Sequence, residues 1–191
     1  MKTSMEDRAL EILRVMLGRR GLDTKTERIT TEDLDRTNVY TIGTILTVFS
    51  QKDKLQDRDL VKVLDFAAAN EYTNGIILVG MSPASENLLK AIKSHAKERL
   101  QFFHIRQLQF DITTHRMAMP HRILNEEERT AIFKTYKISK PEEQLPWIDS
   151  QDAMVKWTGA LPGDILEVAR HSDVAGVQYY YRYCVPDVNV A

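Results

Sequence analysis

Cysteine is almost absent: Cys184 stands alone among 191 residues. An intramolecular disulfide is therefore impossible, and a reducing compartment is the natural setting. A thiolate-built zinc site is excluded as well. The five histidines are scattered, and His104, His115 and His121 have no cysteine or acidic partner at ligand spacing, so no metal is expected. The eight glycines are too dispersed for a dinucleotide fingerprint or a phosphate-binding loop, and no G-x-S-x-G elbow occurs, so no cofactor is expected. No apolar run nears the roughly 20 residues that cross a bilayer. The N-terminus interrupts its apolar positions with Lys2, Glu6, Asp7, Arg8, Glu11 and Arg14, which argues against a secretory signal and against a membrane partner. Charge of either sign is in no excess: the net value is −1, and both halves lie near balance. A free-standing nucleic-acid binder usually carries a marked basic surplus.

What is present suffices for a packed core, with 43% hydrophobic residues. Ala9, Ile12, Leu13, Met16 and Leu17 recur at helical spacing within Met5 to Arg20, and Gly21 is a plausible stop. Val39 to Phe49, rich in β-branched and aromatic residues, reads as a strand. Leu60, Val63, Leu64, Ala67 and Ala68 make one face of a second helix ending near Asn70. After Asn74-Gly75, the continuous apolar run Ile76 to Val79 suits a strand buried on both faces. Ser82-Pro83 predicts a helix start, with Leu88, Leu89, Ile92 and Ala96 on one side. Leu100 to Ile105 and Leu108 to Ile112 read as strands. The alternation from Val39 onward suggests an α/β layer.

The character changes around Thr113 to Pro120. Asn125 and Glu128 resemble a capping box for a helix over Glu126 to Tyr136. Asp149 or Ser150 could cap another short helix that ends at Gly159. Leu161-Pro162-Gly163-Asp164 is a turn signature. Two strands, Ile165 to Arg170 and Val177 to Val185, follow, joined by a polar turn through Ser172, Asp173 and Gly176; the tail Pro186 to Ala191 reads as irregular.

Catalytic constellations are missing. Asp164 and Glu167 sit at odd spacing on a predicted strand and so face apart. Lys52 follows a strand as in α/β nucleases, but the stretch from Val39 to Lys52 carries no carboxylate to hold Mg²⁺. Within Tyr179-Tyr180-Tyr181, alternation predicts Tyr180 inward and its neighbours outward, a pair better suited to a protein interface than to base stacking.

The segment from His115 to Tyr183 resembles the C-terminal domain of the RNA polymerase subunit shared by the three eukaryotic nuclear enzymes, a domain that also has an archaeal counterpart. The carriers are His115, Pro120-His121, the acidic helix start Glu126 to Glu128, Tyr136 and Gln144-Leu145-Pro146. They continue through Asp152, Gly159, Pro162-Gly163-Asp164, Arg170, Ser172, Gly176 and Tyr181-Arg182. Fainter likeness extends upstream, through Arg20-Gly21, Gly75 to Val79, Met81-Ser82-Pro83-Ala84 and Asp111 to His115. Trp147 in place of an arginine, Ala153 in place of a proline, and the extension from Cys184 to Ala191 depart from the pattern and point to a divergent lineage, such as a large DNA virus with its own polymerase.

The resemblance implies an α+β, part α/β protein of two domains: a nuclease-like α/β jaw over 1–117 and a small α+β assembly domain over 118–191. It implies a non-catalytic polymerase subunit, with the largest and other subunits as partners. Location would be the nucleus for a cellular protein, or host cytoplasm, viral factory or virion for a viral one. Docking is expected through Pro120, His121, Pro146, Trp147, Gly163, Arg170, Tyr181 and Arg182. Arg19, Arg20, Lys25 and Arg28, the densest basic cluster, are the candidates for contact with the phosphates of downstream double-stranded DNA. The competing readings are a free-standing interaction adaptor on the same fold and a degenerate nuclease.

Overall fold

The computed structural model describes residues 4–31, 33–95, 99–172, 174 and 176–186. The expectations placed on Ala96, on Asp173 and on tail residues 187–191 lie outside the described residues. The chain divides into two compact units, one running to Asp111 and one starting at Ile112.

The first unit opens with α1 (Met5–Arg19), closed at its start by a capping box: the Ser4 hydroxyl accepts from the Asp7 N–H at 3.0 Å, and the Asp7 carboxylate accepts from the Ser4 N–H at 3.2 Å. Ala9, Leu13, Met16 and Leu17 form its buried stripe, with Ile12 half-buried beside them. A five-stranded mixed sheet follows, with β1 (Thr26–Ile29), β2 (Thr37–Ile42), β3 (Ile45–Ser50), β4 (Ile76–Gly80) and β5 (Leu100–His104) adjacent in chain order. The pairs β1–β2 and β2–β3 are antiparallel, and β3, β4 and β5 run parallel. Helices α2 (Asp57–Ala69) and α3 (Glu86–Ser94) make the two parallel crossovers. Their apolar faces (Leu60, Val63, Ala67, Leu88 and Ile92) pack on Leu46, Val48, Ile76, Leu78, Leu100 and Phe102. Alternation sends the intervening residues to the other face. There Asn38 and Tyr40 both donate to the Glu6 carboxylate of α1 at 2.9 Å. Cover on both faces is the reason β3 and β4 are buried without interruption.

Three local expectations fail here, each for a visible reason. The run Val39 to Phe49 is a hairpin rather than one strand: Gly43, at φ +58°, turns β2 into β3, and a Cβ there would lie 2.4 Å from the Asp23 carbonyl oxygen. Leu108 to Ile112 is not a strand. Ile105–Leu108 and Ile112–Thr114 are 3₁₀ turns, the first burying Ile105 and Leu108. The first turn lies against α1, and Gln109 ties it down by donating to the carbonyls of Met5 and Ile105. The start of α3 is capped by Ser85, whose hydroxyl accepts from the Leu88 N–H; Ser82-Pro83 remains in the preceding loop.

The second unit is built on a four-stranded mixed sheet in the order β6 (His121–Ile123), β8 (Ile165–Ser172), β9 (Gly176–Val185) and β7 (Trp147–Asp149). β6 and β9 run antiparallel to β8, and β7 runs parallel to β9. Helix α4 (Glu126–Tyr136) has the expected Asn125–Glu128 capping box, and α5 (Pro141–Gln144) is a single turn. Helix α6 (Ala153–Thr158) is capped by Asp152 rather than Asp149 or Ser150: its carboxylate accepts from the N–H groups of Met154 and Val155, and Gly159 closes the helix at φ +80°. The core gathers Val155, Ala160, Leu166 and Cys184, with Ile148 against them. The whole is an α+β protein with two mixed sheets.

Candidate docking and phosphate-contact surfaces

The docking candidates of the second unit fall into structural and exposed groups. Pro120 ends the approach to β6, and its carbonyl accepts from the Ala169 N–H at 3.0 Å. His121, half-buried on β6, is anchored through Nδ1 to the Met119 carbonyl at 2.7 Å. Gly163, at φ +100°, forms the turn into β8 and donates to the Cys184 carbonyl at 2.9 Å. Those three shape the sheet's edges and entry. Trp147 is 57% exposed, with its indole N–H held at 2.6 Å by the Glu142 carbonyl. Pro146 is exposed beside it, and its carbonyl accepts from the Tyr183 N–H. Arg170 and Arg182 are exposed on the β8–β9 hairpin, Arg182 reaching the Trp147 carbonyl at 3.1 Å.

Tyr181 takes the reverse of its expected place, as does Tyr180. Tyr180 is exposed, its hydroxyl bonded to Gln178. Tyr181 is half-buried against Tyr136 of α4, with ring centroids 6.1 Å apart. Which face of β9 is covered depends on where α4 lies, and alternation alone cannot tell that. Register places Arg122, Glu167 and Tyr181 in one row across β6, β8 and β9. Arg122 bridges Glu167 at 2.7 Å and Glu128 of α4 at 2.8 Å. These carboxylates raise the guanidinium pKa, while the Asn125 N–H and then Arg122 hold Glu128 below the usual carboxylate range. Burial and then Glu167 raise the Tyr181 phenol. This clamp of α4 to the sheet was not singled out from sequence, because its members come from four separated segments.

β8 and β9 extend well past their outer neighbours. β6 pairs only with Leu166–Val168 and β7 only with Tyr183–Val185. The remainder, Ala169–Ser172 against Gly176–Tyr179, is a two-stranded ribbon carrying exposed Val177 and Tyr179, with exposed Tyr180 next to it on β9.

The basic cluster of the first unit does not form one surface. Arg19 is exposed and pairs with Asp111 at 2.6 Å. Arg20 turns inward to Gln101 of β5 at 2.9 Å, and burial lowers its pKa to about 10. Lys25 is exposed beside Glu27 at 2.6 Å, which raises its pKa through a hydrogen bond. Arg28 is exposed and donates to Asn38 at 3.2 Å.

The structure brings a carboxylate from the next helix to Lys52: Asp59, in the first turn of α2, accepts from Nζ at 2.7 Å. Burial opposes its ionisation, but the Lys52 and Gln56 hydrogen bonds outweigh this and lower its pKa. Among the described residues no three His, Cys, Asp or Glu side chains are grouped to hold a metal ion. No helix of the described residues is long and apolar enough to cross a membrane.

Residues 110–184 match the family model for the RNA polymerase Rpb5 C-terminal domain. The DNA-directed RNA polymerase subunit Rpo5 of Pyrococcus horikoshii is 49% identical over 79 residues, which is 41% of this chain and 94% of the archaeal protein. The chain belongs to the Rpb5 family. A subunit of DNA-directed RNA polymerases I, II and III from Dictyostelium discoideum is 27% identical over 143 residues, 74% of this chain and 72% of that protein. RNA polymerase V subunit 5A of Arabidopsis thaliana is 32% identical over 117 residues, 61% of this chain and 51% of that protein. Both alignments are longer than the second unit, so the family likeness reaches into the first. All eight docking candidates lie inside the matched domain; the four basic candidates lie outside it.

Proposed function

We propose that this chain is a non-catalytic subunit of a multisubunit DNA-directed RNA polymerase, held in the enzyme by its second unit. The observation that carries the reading is the 49% identity that accounts for almost the whole of an archaeal polymerase subunit. In this reading an assembly domain over 118–191 docks on the largest subunit through the exposed Trp147, Arg170 and Arg182 and their surroundings. Pro120, His121 and Gly163 act indirectly, by fixing the sheet that presents them. Nucleotidyl transfer and its Mg²⁺ belong to the large subunits.

The first unit, with its parallel β3–α2–β4–α3–β5 core, is consistent with a nuclease-like jaw over 1–117. Such a jaw lies beside downstream DNA and touches phosphate through exposed Lys25 and Arg28. Eukaryotic relatives named as subunits of polymerases I, II, III and V support a nuclear location. The test is purification of the tagged chain from its source at mild salt, followed by mass spectrometry. Equimolar large polymerase subunits are expected. Intact chain that brings down other proteins but no polymerase subunit would replace this reading with that of a free-standing adaptor.

A further inference from the structure

The β8–β9 ribbon leaves a row of backbone groups open, and their positions follow from the register. The Cys184 N–H donates to Asp164 on the β8 side, whereas the Tyr183 N–H donates to Pro146 on the β7 side. In-plane direction alternates with each residue. Even-numbered residues of β9 therefore bond to β8, and odd-numbered residues face the outer edge. Past β7, the outward residues are Val177, Tyr179 and Tyr181. Pairing stops there for a chemical reason. Continued in register, the N–H for the Tyr181 carbonyl would come from Pro146, which has none. Upstream of Pro146 the chain is the single turn of α5 and no longer a strand.

An isolated two-stranded ribbon is marginal in water, and an open edge is a template for another strand. The common guards against pairing are lysine, proline, a bulge or an inward charge. None of these lies between Gly176 and Arg182. Val177 and Tyr179 are both exposed, and their side chains share the face on which Tyr181 meets Tyr136. Arg170 and His171 are exposed on the same ribbon and Arg182 farther along β9, and there is no acidic residue within Ala169–Ser172 or Gly176–Arg182.

We infer that the outer edge of β9 at Val177, Tyr179 and Tyr181 receives an extended, acidic segment of another polymerase subunit as an added strand. The inference rests on the polymerase-subunit reading and specifies how the second unit docks. The added strand would satisfy the outward N–H and C=O groups and lay alternate side chains on the Val177–Tyr179 face. Its acidic residues would lie near Arg170 and Arg182. This is strand addition, in which backbone bonds supply affinity and side chains supply selectivity.

Residue-resolved amide exchange on the intact chain, free and within the purified polymerase, tests it. Exchange at Val177, Tyr179 and Tyr181 should slow at least tenfold in the complex. Gln178 and Tyr180, already bonded to β8, should change far less. A substitution gives the second readout. Proline at an outward position removes only the open donor, so Tyr179→Pro should keep the isolated chain's melting temperature within a few degrees and lower incorporation into polymerase at least tenfold. Tyr179→Phe should incorporate normally. Co-purification with polymerase but equal slowing at odd and even positions, or none, would overturn the strand addition and leave the subunit reading standing. Normal incorporation of Tyr179→Pro would do the same. Absence of polymerase from the purified material would remove both.

Discussion

Replacement of Lys156 by methionine should stabilise the second unit. Lys156 lies in α6 and is only 6% exposed, among the core residues Val155 and Trp157. Burial lowers its ammonium pKa from 10.5 to about 8, against an upward pull from Asp149. A shift of that size corresponds to about 3 kcal/mol of penalty on the charged form. Methionine keeps a similar stem without the charge. Allowing about 1 kcal/mol for the polar interactions that the ammonium makes, Lys156→Met should gain about 1–2 kcal/mol at pH 7. The sign with pH follows from linkage. Between about 8 and 10.5 the unfolded lysine holds its proton and the folded one does not, so wild-type stability should rise with pH through that window. The variant should lack that rise. Cys184 acts oppositely: burial, then Asp164, Asp149 and Asp152, push its thiol from 9.0 up to about 12, so its contribution falls as pH climbs above 9. The interval from pH 8 to 9 is therefore the clean one. Urea titrations across it, for wild type and variant, decide the matter. A variant less stable at pH 7, with an unchanged pH slope, would show that Lys156 is well compensated in the fold and refute the reasoning.

Gly43→Ala should cost about 2–4 kcal/mol, the sum of a left-handed residue and a close approach to a carbonyl oxygen, with Gly43 at φ +58° and the Asp23 oxygen 2.4 Å from the added carbon; thermal melts of the whole chain would register it. Arg122→Ala removes a bridge to two carboxylates, but its side chain is 51% exposed. The loss should stay near ~1 kcal/mol, and two-dimensional NMR should show α4 loosening without loss of the sheet. In the assembled polymerase, Lys25→Ala and Arg28→Ala should each reduce the salt dependence of DNA binding by about one phosphate contact. Arg20→Ala should instead lower the melting temperature of the first unit and leave the salt slope unchanged.

The second unit was legible in good detail because its signals are local. The Asn125–Glu128 box, the Gly159 stop, the Leu161–Asp164 turn and the two closing strands each occupy a few adjacent residues, and the structure keeps them. Long-range pairings were not legible. That β7 runs parallel to β9, that Arg122 meets Glu167, and that Tyr181 rather than Tyr180 is covered all depend on segments dozens of residues apart. The hairpin at Gly43 was missed although its mark was present. A single glycine inside a β-branched run reads equally as a tolerated weak point until something approaches too closely for a side chain, and that something, the Asp23 carbonyl, is also distant in sequence.

The basic cluster shows the same limit at a functional level and narrows the DNA reading. Arg19 ends α1 and Arg20 is its C-cap, and the two side chains go to different partners. One reaches Asp111 at the surface; the other is drawn to Gln101 on the sheet. Moving Arg20 outward to a phosphate would leave the Gln101 side chain without this donor in a part-buried site and expose the alkyl stem it now packs inside. Arg19 would first have to give up Asp111, whose carboxylate stays well covered beside it. Lys25 and Arg28 carry no such constraint: their partners, Glu27 and Asn38, are surface groups that a phosphate could displace at little cost. Four neighbouring cations in sequence thus reduce to two that can meet DNA without unmaking the fold, and those two lie at the sheet edge formed by β1.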